Sequence, residues 1–253
     1  PNTAPINVAV LDMQPIDPPT GGGRLRLLGL YHGLGSRISA NYVGTYDWPG
    51  EKYRAHALTP TLFETDIPLS EDHHTAAARL ASQANGKNVI DLAFSRQAYL
   101  SPEYVAAVRK AADAAHIVVF SHPWIYPLVK DQLRPNQVVI YESHNVEGFL
   151  RAQLLSDSNS TEREILKGVI KDELECGRRT NWMLTCSHED LLRFNRLCAF
   201  SPQKMRVVPN GVMAFDNPMA NEASRLKARE VLGNSNDDFI GIFIGSPYGP
   251  NID

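Results

Sequence analysis

The sequence predicts an α/β protein built on a doubly wound, mainly parallel sheet. Three observations carry the prediction. Short apolar runs recur along the chain, each the length of a buried strand. Segments with helix-start signals stand between them, as right-handed crossovers between parallel strands require. Glycine, histidine and carboxylate residues crowd directly after several of the runs, where an open parallel sheet holds its ligands.

Ile6-Asn7-Val8-Ala9-Val10-Leu11 is the first strand. A proline-rich loop with Pro15, Pro18 and Pro19 follows, then Gly21-Gly22-Gly23 and a helix over 24–30. Strands are expected at 37–46 and 54–58, and a helix over 70–84 with Ser70 as N-cap. Ser101-Pro102-Glu103 has the pattern of a helix start: a cap, a proline at the first position and an acid in the first turn. That helix runs to Ala114. Strands follow at 116–120 and 138–141, with a helix over 124–132 between them. Thr161-x-x-Glu164 reads as a capping box opening a helix with Ile165, Leu166, Val169, Ile170 and Leu174 on one face. Trp182-Met183-Leu184-Thr185 is a strand, Ser187-x-x-Asp190 opens a helix, and 205–208 is a short strand stopped by Pro209-Asn210-Gly211. Residues 212–220 read as a linker, 221–232 as a helix ending at Gly233, and Phe239–Gly245 as a strand.

Bulk properties remove several functions. The 253 residues hold 43% hydrophobic and 21% charged residues, an ordinary globular balance. The net charge of −3 and the pI near 6.3 leave no basic excess to displace counterions, so no nucleic-acid partner is expected. No apolar run is long enough for a membrane helix, and no signal peptide is visible. Cys176, Cys186 and Cys198 form no CxxC pair, so the reading is reduced thiols in a cytoplasmic protein with no zinc site.

Gly21-Gly22-Gly23-Arg24 lets backbone approach a ligand closely, ahead of a helix N-terminus whose unpaired N–H groups suit phosphate. Arg24 can add a charge-assisted contact; the alternative is a plain tight turn. The loop is no dinucleotide fingerprint, since Arg26 stands where the third glycine belongs, and no P-loop occurs. Tyr141-Glu142-Ser143-His144-Asn145-Val146-Glu147 places polar groups at a strand end. His144 there serves a ligand or merely caps the next helix. Ser121-His122-Pro123-Trp124 lines the same cleft, or is a turn with a stacked tryptophan. His73 and His74 lack further metal ligands at suitable spacing and read as solvent-facing.

Taken together and in order, these segments resemble the retaining GT-B glycosyltransferases of the glycosyl transferase group one, or family four, class. The glycine loop, the segment 141–147, Thr185-Cys186-Ser187-His188-Glu189-Asp190, Val207-Val208-Pro209-Asn210-Gly211-Val212, and Phe243-Ile244-Gly245-Ser246 with Asn251 carry the likeness. The resemblance implies two facing Rossmann-like domains: an acceptor-side domain over 1–213, and over 214–253 a linker, a helix and the first strand of a truncated donor-binding domain. It implies transfer from a nucleotide-sugar donor to a sugar, lipid or small-molecule acceptor, with retention of configuration. It assigns His144 to catalysis and Gly21, Gly22, Gly23, Arg24, Asn210 and Gly211 to the donor. His122, Asn145, Glu147, Gly245 and Ser246 would line the cleft. No metal or cofactor is implied, and peripheral contact with the inner face of a membrane is compatible with the class.

The class's donor domain, with its basic residue and E-x7-E motif, is expected beyond residue 253. Glu222 and Glu230 have that spacing but precede the second domain's first strand, so they read as exposed helix positions. An apolar strand at 239–245 without partners is expected to pack onto the first domain, to pair in a homodimer, or to be held by residues outside this sequence. A non-catalytic binding module that keeps the fold is the competing reading. A sugar-nucleotide epimerase is disfavoured by the missing fingerprint.

Overall fold

A computed structural model of the chain describes residues 4–211, 220–235 and 237–242. The strands are β1 (Ile6–Leu11), β2 (Ile38–Gly44), β3 (Arg54–Thr59), β4 (Leu62–Asp66), β5 (Ile117–Phe120), β6 (Val138–Glu142), β7 (Trp182–Thr185) and β8 (Met205–Val207). They form one eight-stranded sheet in the order β3-β4-β2-β1-β5-β6-β7-β8. Every neighbouring pair is parallel except β3 with β4. The strand order reverses at β1, which has β2 on one side and β5 on the other. The sheet is therefore doubly wound, and its ligand crevice lies beyond the C-terminal ends of β1 and β5.

The helices are α1 (Gly22–Tyr31), α2 (Glu71–Gln83), α3 (Phe94–Gln97), α4 (Pro102–Ala114), α5 (Tyr126–Val129), α6 (Glu147–Leu154), α7 (Ser160–Arg179), α8 (His188–Cys198) and α9 (Glu222–Val231). The two-residue period of each strand divides its side chains between two cores. Val8, Val10, Tyr42 and Val119 pack with Leu27 and Tyr31 of α1. Ala9, Leu11, Val118, Phe120, Val139 and Tyr141 pack on the other face with Tyr104 and Val108 of α4, Ile165 and Val169 of α7, and Phe194 of α8. The chain divides into two compact units, residues 1–211 and 212–253.

Several elements depart from the sequence reading. β4 was not expected, because its pattern is inverted: Glu64 and Asp66 are buried while Phe63 is 41% exposed. Arg54 on β3 compensates, with Nη2 2.8 Å from Asp66 Oδ2. The helix expected over 124–132 shrinks to a 3-10 turn, Pro123–Ile125, and the single turn of α5. α7 starts two residues earlier than the capping box predicts, since Asn159 Oδ1 accepts the N–H groups of Thr161 and Glu162. Its inward face carries Asp172 and Glu173, while Ile170 is 40% exposed. Ser101 precedes α4 but does not cap it; its Oγ accepts Ser70 N–H at 3.1 Å. His73 is not solvent-facing. It is fully buried, with Nδ1 3.0 Å from Ser101 Oγ and its ring stacked on Phe94.

α9 follows the expected bounds, capped by Asn221 Oδ1, and Gly233 adopts the left-handed conformation (φ 70°) that ends it. Residues 239–242 of the anticipated last strand are not in a strand, and Phe239 is 99% exposed. A strand exists only as a ladder, and among the described residues nothing pairs with them. Positions 243–245, Ser246 and Asn251, together with linker residues 212–219, lie outside the described residues.

Candidate functional site

The glycine loop follows β1 and leads into α1 at the C-terminal edge of the sheet. Gly21 is the N-cap of α1 with φ 88°, a conformation that side-chain-bearing residues rarely adopt. Gly22 is open to solvent. Gly23 lies against His144: a Cβ there would sit 3.5 Å from His144 Nδ1. The loop after β1 and the loop after β6, remote in sequence, thus share one edge of the sheet. Arg24 turns away from this edge, with its guanidinium 5.1 Å from the Trp48 ring centroid and Nη1 3.3 Å from the Pro18 carbonyl.

Arg26, one turn further along α1, was not singled out in the sequence. Its Nε donates to Glu142 Oε1 at 2.6 Å, and its Nη1 donates to the Val208 carbonyl at 2.7 Å and to Asn210 Oδ1 at 2.9 Å. One buried guanidinium therefore ties the glycine-loop helix to the end of β6 and to the Pro209-Asn210 turn. Asn210 and Gly211 are exposed at that turn. Glu142 Oε2 lies 3.4 Å from His144 Nε2. Arg26 Nη2, Glu142 Oε2 and His144 Nε2 are buried atoms without a hydrogen-bond partner. Such atoms are rare in native interiors and mark unused polar capacity beneath the site.

His122 joins the cluster from the end of β5. Its ring stacks on Trp124 with centroids 4.6 Å apart and meets the His144 ring at the same separation. Its Nδ1 lies 2.8 Å from Oδ1 of Asp12, a buried residue that directly follows β1. Asn145 is exposed and donates to Glu147 Oε1. Glu147 does not line a surface. It is fully buried at the start of α6, where Arg151 Nε pairs with it at 3.0 Å. Arg26 and Asp12 gave no signal in a linear sequence, because a lone charge inside an apolar helix or after an apolar strand reads as exposed.

No protein-family model and no curated protein matches the chain. Its mostly parallel α/β fold matches that of GT-B glycosyltransferases of known structure over about half of their length. Sucrose-phosphate synthase from Thermosynechococcus elongatus superposes with a TM-score of 0.62 at 12% identity, over 92% of this chain and 53% of that one. Anabaena HepE in complex with UDP and glucose gives 0.51 at 13% identity, over 90% of this chain and 50% of that one. The chain thus spans about half the length of the solved structures it matches. Among the described residues no helix is long and apolar enough to cross a membrane, and the three cysteines are free thiols.

Proposed function

We propose that this chain is the acceptor-side domain, followed by the opening of a donor-binding domain, of a glycosyltransferase that moves a sugar from a nucleotide-sugar to an acceptor with retention of configuration. One observation carries the reading: Gly21–Gly23, His122 and His144 converge on the C-terminal edge of a parallel sheet at its switch point, on a GT-B frame. In this reading Gly22 and Gly23 admit the donor diphosphate to the N-terminus of α1. His144, held between Gly23 and Glu142, presents a ring nitrogen to the donor sugar. The principal contribution to rate is stabilisation of the departing diphosphate by oriented donors and positive charge. Retention follows from attack on the face that the diphosphate leaves. Asn210 and Gly211, tethered through Arg26, mark the exit toward the donor-binding half. The proposed setting is cytoplasmic, without metal or cofactor, and the acceptor is a sugar, a lipid or another small molecule. The UDP and glucose bound to HepE favour this reading over a non-catalytic module.

Calorimetry of the 253-residue chain with UDP-, GDP- and ADP-sugars tests the division of labour. Weak binding without turnover is expected, because most donor contacts belong to the other half. Micromolar affinity with turnover would overturn it. In the chain joined to its donor domain, transfer with retained anomeric configuration is expected. His144→Ala lowers its rate by about 100-fold, and transfer at the unsubstituted rate would make His144 structural.

A further inference from the structure

Asp12 directly follows β1, and His122 is the second residue after β5. These strands are hydrogen-bonded neighbours, with Leu11 opposite Phe120. Carboxylate and imidazole therefore meet across the point where the strand order reverses. Asp12 is 1% exposed, and the Oδ1 that contacts His122 Nδ1 at 2.8 Å also accepts Met13 N–H at 2.8 Å. Its main-chain carbonyl accepts the Tyr104 hydroxyl. The carboxylate is thus fixed from its own backbone, and the His122 ring is fixed by the carboxylate. Trp124, itself 2% exposed, lies nearly parallel to that ring at 13°, and the His144 ring meets it at 45°.

We propose that Asp12 is a positioning residue that holds His122 as an imidazolium stacked on Trp124 and beside His144, and so presents a fixed positive charge to an anionic group of the substrate at the β1–β5 crevice. The charge state stands on this geometry alone; its role toward substrate rests on the glycosyl-transfer reading. A cation over the face of a tryptophan is favourable where solvent is excluded. Burial by itself would drive His122 toward its neutral form. Asp12, then Glu147 on α6 and Asp91 before α3, outweigh burial and raise its pKa from 6.5 to about 9. Burial likewise pushes Asp12 up, and His122, with His144 and the Met13 N–H, more than reverses this, holding the carboxylate below its ordinary range. His144, Tyr104, Tyr42, Tyr31 and Asp47 are further titratable groups that act on Asp12, and Arg151 is engaged with Glu147 and Asp91. Because the folded pKa of His122 lies above the ordinary value and that of Asp12 below it, the pair's stabilisation is present between the two, is lost as pH rises through about 9, and is lost in acid as Asp12 protonates.

Trp124 reports this charge, since an imidazolium stacked on indole quenches its emission. In the chain carrying Trp48→Phe and Trp182→Phe, emission is expected to rise with a midpoint near pH 9. His122→Gln abolishes the transition. Asp12→Asn lowers the midpoint by about 2 pH units or more. A midpoint at or below 6.5 in the Asp12 chain, or an unmoved midpoint in Asp12→Asn, overturns the proposal. If Asp12→Asn does not fold, nitrogen-15 titration of the histidine rings in the unsubstituted chain decides on the same midpoint. Inorganic pyrophosphate, as the anionic probe, should bind Asp12→Asn roughly tenfold more weakly at pH 8. Equal affinity would overturn the substrate role. Transfer by the two-domain protein with a low midpoint rejects Asp12 alone; a midpoint near 9 without transfer of any sugar rejects the glycosyl-transfer reading alone.

Discussion

Arg26 and Glu142 meet at 2.6 Å with side chains 2% and 0% exposed. Removing two charges from water costs several kcal/mol each, so such a pair persists only where each charge is well bonded. Arg26 satisfies this through three acceptors on two other segments. Arg26→Met leaves Glu142 buried beside His144 without its cation. Urea unfolding should then show a loss of ~3–5 kcal/mol, whereas Arg26→Met with Glu142→Leu recovers most of it. Equal losses in the single and double variants would show that the two side chains are not coupled. At this scale the sequence was least legible. His144, His122 and the glycines stood out by type and position, but Asp12, Arg26 and the burial of Glu147 depend on partners up to 184 residues away.

At the scale of elements, α6 has no side-chain cap of its own. Its first N–H groups are taken by a carboxylate from α7: Glu173 Oε1 accepts Glu147 N–H and Oε2 accepts Gly148 N–H, each at 2.8 Å. The Tyr141 hydroxyl donates to the same carboxylate at 3.0 Å. Burial nevertheless raises the Glu173 pKa from 4.5 to about 7, against these hydrogen bonds. Glu173→Ala orphans three buried donors, and a stability loss of ~3 kcal/mol is expected in denaturant melts. Amide exchange should also accelerate at Glu147 and Gly148, next to the His144 loop. Unchanged exchange there would mean that α6 is anchored by packing instead. The inverted pattern of β4 belongs at this scale too, since Asp66 meets Arg54 of the neighbouring strand and Glu64 accepts the main-chain N–H groups of Ile16 and Asp17 from the loop after β1.

For the whole molecule, both hydrophobic cores are built from residues that precede Gly211. The second unit exposes Val231, Leu232, Phe239 and Ile242. A chain ending at Gly211 is therefore expected to unfold cooperatively, at the same urea midpoint as the full 253 residues. Sedimentation should show the full chain associating as its concentration rises, with apolar side chains seeking cover, and the shortened chain remaining monomeric. Loss of cooperative unfolding in the shortened chain would show that residues 212–253 belong to the first folding unit.

The sequence by itself determined the sheet's central strands, the helices between them and the edge at which chemistry collects. Apolar runs, caps and glycines act over a few residues, and parallel crossovers permit few arrangements of them. Even the likeness of segments 21–24, 141–147 and 207–211 to one fold class was readable in order along the chain. Only the tertiary structure decided which charges face inward. It joined Asp12 to His122, Arg26 to Glu142 and Asn210, and Glu173 to the start of α6. A buried charge is tolerable only when a particular partner arrives from elsewhere in the chain, and that arrival is a property of the assembled sheet.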